Sequence, residues 1–257
     1  MIKYFRKIRQ NLLSEGKTGK YLRYALGEIL LVVIGILIAL QINNLNERHK
    51  ANTQEQEYYC LLLQNIEQDK EQIAKLKTLV QKRFEASFGL IREIQKEKPE
   101  TVLFAKRWFP AFQKSNNTFK PNDAVYSDLK SSGNLKLIKD KSITNALNLY
   151  FKNVNGFSES ILSNEQSLNN KLYSLETYFE IGFYQAYFED NNKNFPEDIV
   201  VKVKTDLPKY ISDNYKPKLY DIALFLGTVN QRLSELLLLI ENEVDTIKEI
   251  LERKCKK

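Results

Sequence analysis

Few residues in this chain have the type and spacing that chemistry demands. His49 is the only histidine, so neither a two-histidine zinc site nor an H-E-x-x-H helix can be built. Lying among Glu47, Arg48 and Lys50, it reads as a solvated side chain. Gly16-Lys17-Thr18 imitates the end of a phosphate loop, but Asn11 stands where the first glycine belongs and no strand precedes it. There is no G-x-S-x-G elbow. Asp123 and Asp128 could do acid–base work as a carboxylate pair, although capping and solvated helix faces account for them better. The remaining candidates are Glu28, an acid in an apolar stretch; the cysteines Cys60 and Cys255; and the aromatics Tyr173, Tyr178, Phe179, Phe183, Tyr184, Tyr187 and Phe188. So dense an aromatic set cannot all face one core stripe. Tyr173, Tyr184 and Tyr187 are therefore candidates for a pocket or partner surface, against the alternative of core and membrane-interface packing. Nothing in the pattern calls for a metal or a cofactor.

The elements that must position these residues are set by hydropathy and charge. Ile29 to Leu40 is apolar throughout, and Tyr21 to Ile42 gives a stretch of 22 residues. At about 1.5 Å per residue, roughly 33 Å, this crosses a hydrocarbon core of about 30 Å. A cleaved signal peptide is the rival, but Ala39-Leu40-Gln41 places a large amide where a small residue is wanted. The reading is an uncleaved signal anchor. Residues 1–27 carry seven basic residues against Glu15 alone, a net +6 of the chain's +7. The large remainder is close to neutral, which argues against a nucleic-acid partner. Basic flanks stay in the cytoplasm. The N-terminus is thus expected inside and the rest outside, in the periplasm of a Gram-negative cell anchored to its inner membrane.

Three regions are expected: a basic tail at 1–20, a transmembrane helix at 21–43 and an external helical bundle at 44–257. In the tail, Phe5, Ile8 and Leu12 at helical spacing fit either a helix on anionic headgroups, ended by a turn at Gly16 and Gly19, or a frayed segment that only orients the chain. In the span, Glu28, Gly35 and Ala39 share one helix face. Small residues four apart allow close helix approach, so this face could meet a second copy or a partner helix, with the lipid bilayer covering the rest. The plainer alternative has Glu28 snorkelling to the cytoplasmic border.

Beyond the span, Tyr58, Leu62, Ile66, Ile73, Leu76, Val80, Phe84, Phe88, Ile91 and Ile94 form one apolar stripe, interrupted where Asp69 takes a seam position. A long helix from about residue 46 is expected, continuing from the membrane helix as a stalk and ending near Pro99. Pro110 should bend or break the segment holding Phe104, Trp108, Phe109 and Phe112, a group expected to cap the membrane-distal end. Asn122 and Asp123 look like a helix start, Gly133 like a left-handed cap, and Asp140 like the cap of a helix running to about Asp190. Asn191 to Pro217 reads as a loop, with Ile199 to Val203 the sole short strand candidate. The last helix spans about Lys218 to Lys254, with Leu226, Val229, Leu233, Leu236, Ile240, Val244, Ile247 and Leu251 as its stripe. The fold class is all-α: three long helices plus short ones.

If the three long helices alternate up, down and up, Cys60 lies near the membrane and Cys255 far from it, and no bond between them is expected. Cys60 then packs as a small apolar residue and Cys255 sits in a frayed terminus. If residues 100–132 instead form a full descending leg, the parity flips and the bond becomes possible.

Two segments carry a resemblance. Gly27 to Glu47 reads GEILLVVIGILIALQINNLNE, and Asn122 to Asp140 reads NDAVYSDLKSSGNLKLIKD. With the basic start MIKYFRKIRQNLL they resemble a family of uncharacterised single-span membrane proteins found mostly in Bacteroidota-type bacteria. The resemblance is close over the first 50 residues and good over 122–140. Leu45 departs from it, standing where members often carry an interfacial tryptophan. The resemblance implies an inner-membrane protein with an external helical domain and implies no activity.

The expectation is a non-enzymatic membrane-anchored interaction or scaffold protein, dimeric or bound to a partner membrane protein through Gly35 and Ala39. A ligand-sensing bundle that signals through a membrane partner is the alternative, since some 20 cytoplasmic residues hold no output domain. A hydrolase or transferase is a distant third class.

Overall fold

The computed structural model describes residues 18–112, 118–174, 212 and 214–255, and all regular structure among them is helical. In chain order these are α1 Thr18–Ile94, α2 Thr101–Phe112, α3 Ala124–Ser131, a 3-10 turn Asn134–Leu137, α4 Lys141–Tyr173 and α5 Lys216–Cys255. The tail through Lys17 lies outside the described residues, as do the Ile199–Val203 strand candidate and Tyr178, Phe179, Phe183, Tyr184, Tyr187 and Phe188. Gly19 is helical, so the turn expected there is replaced by the first turn of α1. The chain divides into two units, residues 1–56 and 57–257.

In the first unit, residues 29–50 of α1 are exposed on every side. A helix buries apolar residues only where something packs on it, and the described residues leave this stretch exposed. The N-terminal window reaches a mean hydropathy of 2.5 with none of it buried, long and apolar enough to cross a membrane. Helix α5 passes the same length test at a mean hydropathy of 1.3, but half of its window is buried. Its apolar side faces the core of the second unit, which makes it a core helix.

The second unit is held by a seven-residue repeat. On α1 a buried seam runs through Tyr59, Leu62, Ile66, Asp69, Ile73, Leu76, Val80, Arg83, Ser87, Leu90 and Ile94 in steps of three and four, with Glu55, Ile91 and Glu93 also buried. On α5 a matching series runs Leu219, Ala223, Leu226, Asn230, Leu233, Leu237, Ile240, Val244, Ile247 and Leu251, with Ile222, Gly227, Val229 and Leu236 buried beside it. Such spacing keeps one seam facing a neighbouring helix over many turns. Every residue of the α5 stripe read from the sequence is buried. The α1 stripe needs correction in its second half, where Phe84 is half-buried and Phe88 is 40% exposed. Arg83 and Ser87 take the seam there, because their hydrogen bonds allow polar side chains to occupy it.

Helix direction follows from the cross-links. Lys70 pairs with Asp245 at 2.6 Å and Lys77 with Glu241 at 2.7 Å, so α1 and α5 are antiparallel. Asp69 meets Tyr150 and Arg83 meets Glu165, so α4 runs parallel to α1. Between them the chain returns as a strap laid along α1. Backbone N–H groups of Lys120, Asn122 and Val125 donate to the side chains of Gln72, Asp69 and Asn65 in turn, and Asn134 reaches the Tyr58 hydroxyl. An extended segment has no internal hydrogen bonds, and α1 supplies acceptors for it.

This strap is the full descending leg that reverses the parity. Cys60 and Cys255 therefore lie at the same end, with Cα atoms 4.9 Å apart, and are joined in a disulfide. The expectation of two separate thiols is wrong, because the short segments span as much of the bundle as a long helix does. Further along, Phe104 and Trp108 of α2 are buried, and Phe119 is buried beside Leu76, Val80 and Arg83 of α1. Gly89 permits α2 to approach α1: its carbonyl accepts from the Arg107 guanidinium, and an added Cβ would stand 3.0 Å from that group. Pro110 falls in the last turn of α2, which ends two residues later. Gly133, at φ 71°, is the left-handed residue after α3, and Asp140 caps α4 by accepting from the Ser142 N–H at 3.0 Å.

Candidate functional site

Three places bear on function: the apolar stretch of α1, the polar positions of the bundle core, and a groove between α3 and α4. On the stretch, Gly35 and Ala39 are exposed and Glu28 is half-buried. A Cβ added at Gly35 meets nothing within 4 Å, so among the described residues none crowds this position. Tyr173 closes α4 and is 47% exposed. Tyr184 and Tyr187, read with it as one surface, lie outside the described residues.

The core contains polar links that the apolar reading missed, apart from Asp69. Its carboxylate, 1% exposed, accepts from the Tyr150 hydroxyl at 2.7 Å and the Asn122 N–H at 2.8 Å. Burial raises the Asp69 pKa, and the two donors offset only part of the rise. Burial and the facing carboxylate push the Tyr150 hydroxyl far up, so it remains a donor. Two turns of the repeat further on, Arg83 makes a buried ion pair with Glu165 at 2.7 Å. Asn230 donates to the Ser87 hydroxyl at 3.2 Å, which itself donates to the Arg83 carbonyl at 2.7 Å. A small cavity of about 10 Å³ borders Arg83 and Glu165, room for a single water. These links tie α1 to the strap, to α4 and to α5. They are arranged to specify packing, and no nucleophile stands beside a base among them.

The groove is a different kind of place. It has a volume of about 580 Å³, is open to solvent, and lies between Asp123, Tyr126, Ser127, Lys130 and Ser131 on one side and Asn148, Phe151, Lys152 and Asn155 on the other. Its floor is the stacked pair Tyr126–Phe151, ring centroids 4.2 Å apart at 16°. Burial raises the Tyr126 pKa, and its hydroxyl donates to Asn148 Oδ1. Lys130 Nζ sits 5.3 Å from the Tyr126 ring centroid, a cation–π distance. Asp123 precedes α3 without a side-chain bond to the helix backbone and instead accepts from the Ser127 hydroxyl at 3.0 Å. Asp128 accepts from the Tyr58 hydroxyl at 3.2 Å. The two acids thus serve separate partners. The groove could have been anticipated only from the polar residues Asn148, Lys152 and Asn155, which mark the outer face of α4 without indicating what they face.

Every lining residue of the groove falls between positions 123 and 155. That stretch lies within the region matched by the profile of DUF6090, described as a family of unknown function, which covers residues 28–180. The chain belongs to this family. No curated protein and no solved structure matches it. The region matched to DUF6090 takes in the apolar stretch of α1 and the groove residues, whereas α5 and its disulfide cysteine lie beyond it.

Proposed function

We propose that this protein is a single-pass membrane protein with its N-terminus in the cytoplasm, displaying its helical bundle in the periplasm as an interaction or scaffold module. The observation that carries the reading is the Cys60–Cys255 disulfide, since such bonds persist in oxidising compartments and are rare in the cytosol. It agrees with the orientation that the basic residues before the span favour. The exposed Gly35 and Ala39, on the face they share with Glu28, support assembly through the membrane, either as a homodimer or with another membrane protein. A bundle whose core polar groups serve packing supports a non-enzymatic role. The groove favours the second reading, a ligand-binding bundle that signals through a membrane partner, because it offers donors at a solvent-open surface.

In-membrane crosslinking followed by mass spectrometry, with Glu28→Ala and Gly35→Leu variants alongside, tests the assembly reading. A specific partner or homodimer that disappears in the variants supports an interface in the span. Scattered lipid-neighbour products that ignore both substitutions reduce the span to an anchor and move attention to the bundle.

A further inference from the structure

We propose that the groove between α3 and α4 binds a small, extended organic dianion, a dicarboxylate or its phosphorylated equivalent. The proposal deepens the ligand-binding reading and rests on it, independently of any contact made by the span.

Several bundle lysines are held by acids, among them Lys70 by Asp245, Lys171 by Asp221 and Lys254 by Asp140. Among the described residues neither Lys130 nor Lys152 has a carboxylate partner, although both line the same concave surface. The only acid on that surface, Asp123, is engaged by Ser127. Asn148 spends its oxygen on the Tyr126 hydroxyl, which leaves its amide N–H groups as donors. Asn155 adds another unengaged amide. The groove thus presents more donors and positive charge than its own acceptors use, and an anion carrying a carboxylate or phosphate at each end supplies the complement.

Length follows from register. Tyr126 and Asn148 are level, and α3 and α4 run in opposite directions. Lys130 lies one turn past Tyr126 and Lys152 one turn past Asn148, so the two are displaced to opposite ends by about 12 Å along the groove. The stacked rings beneath give a rigid floor, and Lys130 is held over one of them. A ligand with a single charge engages one end only.

The experiment uses the full chain in neutral detergent micelles and calorimetric titration with succinate, adipate and suberate, plus the uncharged diamide of suberate. Saturable binding should strengthen from succinate to suberate, weaken with added salt, and be absent for the diamide. Lys130→Gln and Lys152→Gln should each weaken suberate about twofold to fivefold, the range for exposed charge pairs, and the double variant about fourfold to twenty-fivefold. Lys70→Gln, which removes a paired lysine on α1, should leave binding unchanged. Absence of saturable binding by the unaltered chain overturns the proposal, as does binding that ignores both groove lysines. Because the readout is the purified protein, it does not depend on whether a membrane partner is found.

Discussion

The Cys60–Cys255 bond can be tested through the stability it must provide. It joins residues 195 apart in sequence, so its loop encloses nearly the whole 57–257 unit. In the chain-entropy treatment, closing a loop of that length removes about 5 kcal/mol of unfolded-state freedom at 25 °C, and measured effects usually fall to about 2–4 kcal/mol. For a unit of this size each kcal/mol moves the midpoint by about 2–4 °C, so the bond should be worth roughly 4–16 °C in Tm. The native end of the bundle should survive without it, because Leu251 is fully buried and Lys254 still pairs with Asp140 at 3.2 Å. The assay is a circular-dichroism melt of the full chain in micelles, comparing the oxidised protein, the reduced protein and Cys60→Ser/Cys255→Ser. The reduced protein and the double variant should melt together and below the oxidised one, with unchanged helix content at 25 °C. Coincident melts of oxidised and double-variant protein, or two free thiols titrated in protein isolated without reductant, would refute the descending-strap topology and the compartment inferred from it.

The core links give further predictions. Arg83→Met alone should cost about 3–5 kcal/mol in chemical denaturation by stranding the Glu165 carboxylate, and Arg83→Met/Glu165→Met should recover most of that loss. Asp69 has a raised folded pKa, so it binds a proton more readily folded than unfolded, and its contribution falls as pH rises from its unfolded value of 3.8 through the raised one. Asp69→Asn, scored against the unaltered chain, should therefore become relatively more stable across that rise; a pH-independent difference would contradict it. Glu93 runs the other way: burial raises its pKa, but the Lys96 ammonium and the Glu100 N–H outweigh this and leave it lowered. Its stabilisation is present above the unfolded pKa and is lost as pH falls through the lowered one, so the stability deficit of Glu93→Gln should shrink on acidification. Gly133→Ala places a side chain at φ 71° and should lower stability by about 1–2 kcal/mol, read as a shift of the denaturation midpoint without a change of slope.

Much of this fold is legible in the sequence because apolar residues at helical spacing report burial directly. The Leu226 to Leu251 stripe is correct at every position, and Gly133 and Asp140 announce their caps through residue types that few other conformations require. The α1 stripe slips at Val80 because the reading follows apolar residues, and the next one, Phe84, lies four positions on while the true seam residue Arg83 lies three on. An arginine reads as surface unless its partner is known. Glu165 is 82 residues away, and nothing local to either residue announces the pair.

The disulfide shows the same limit at the level of topology. Helix content was readable and helix direction was not, because direction depends on whether residues 100–139 count as a turn or as a leg. That choice is made by Asn65, Gln68, Asp69 and Gln72, polar residues on α1 that resemble an ordinary solvated face. Their amides and carboxylate accept the strap's backbone N–H groups and the Asn122 side chain, so a segment with little helix of its own can descend alongside α1. Asp69 does this while also holding Tyr150 of α4, so one buried acid fixes the level of both the strap and the next helix. The apolar repeat alone would tolerate sliding by seven residues, because each step presents a similar surface. Asp69 and Arg83, two repeats apart, meet two different partners on α4, and such a slide would leave both charges buried without them. Register in this bundle therefore rests on its polar seam residues, and its affinity for itself on the apolar ones.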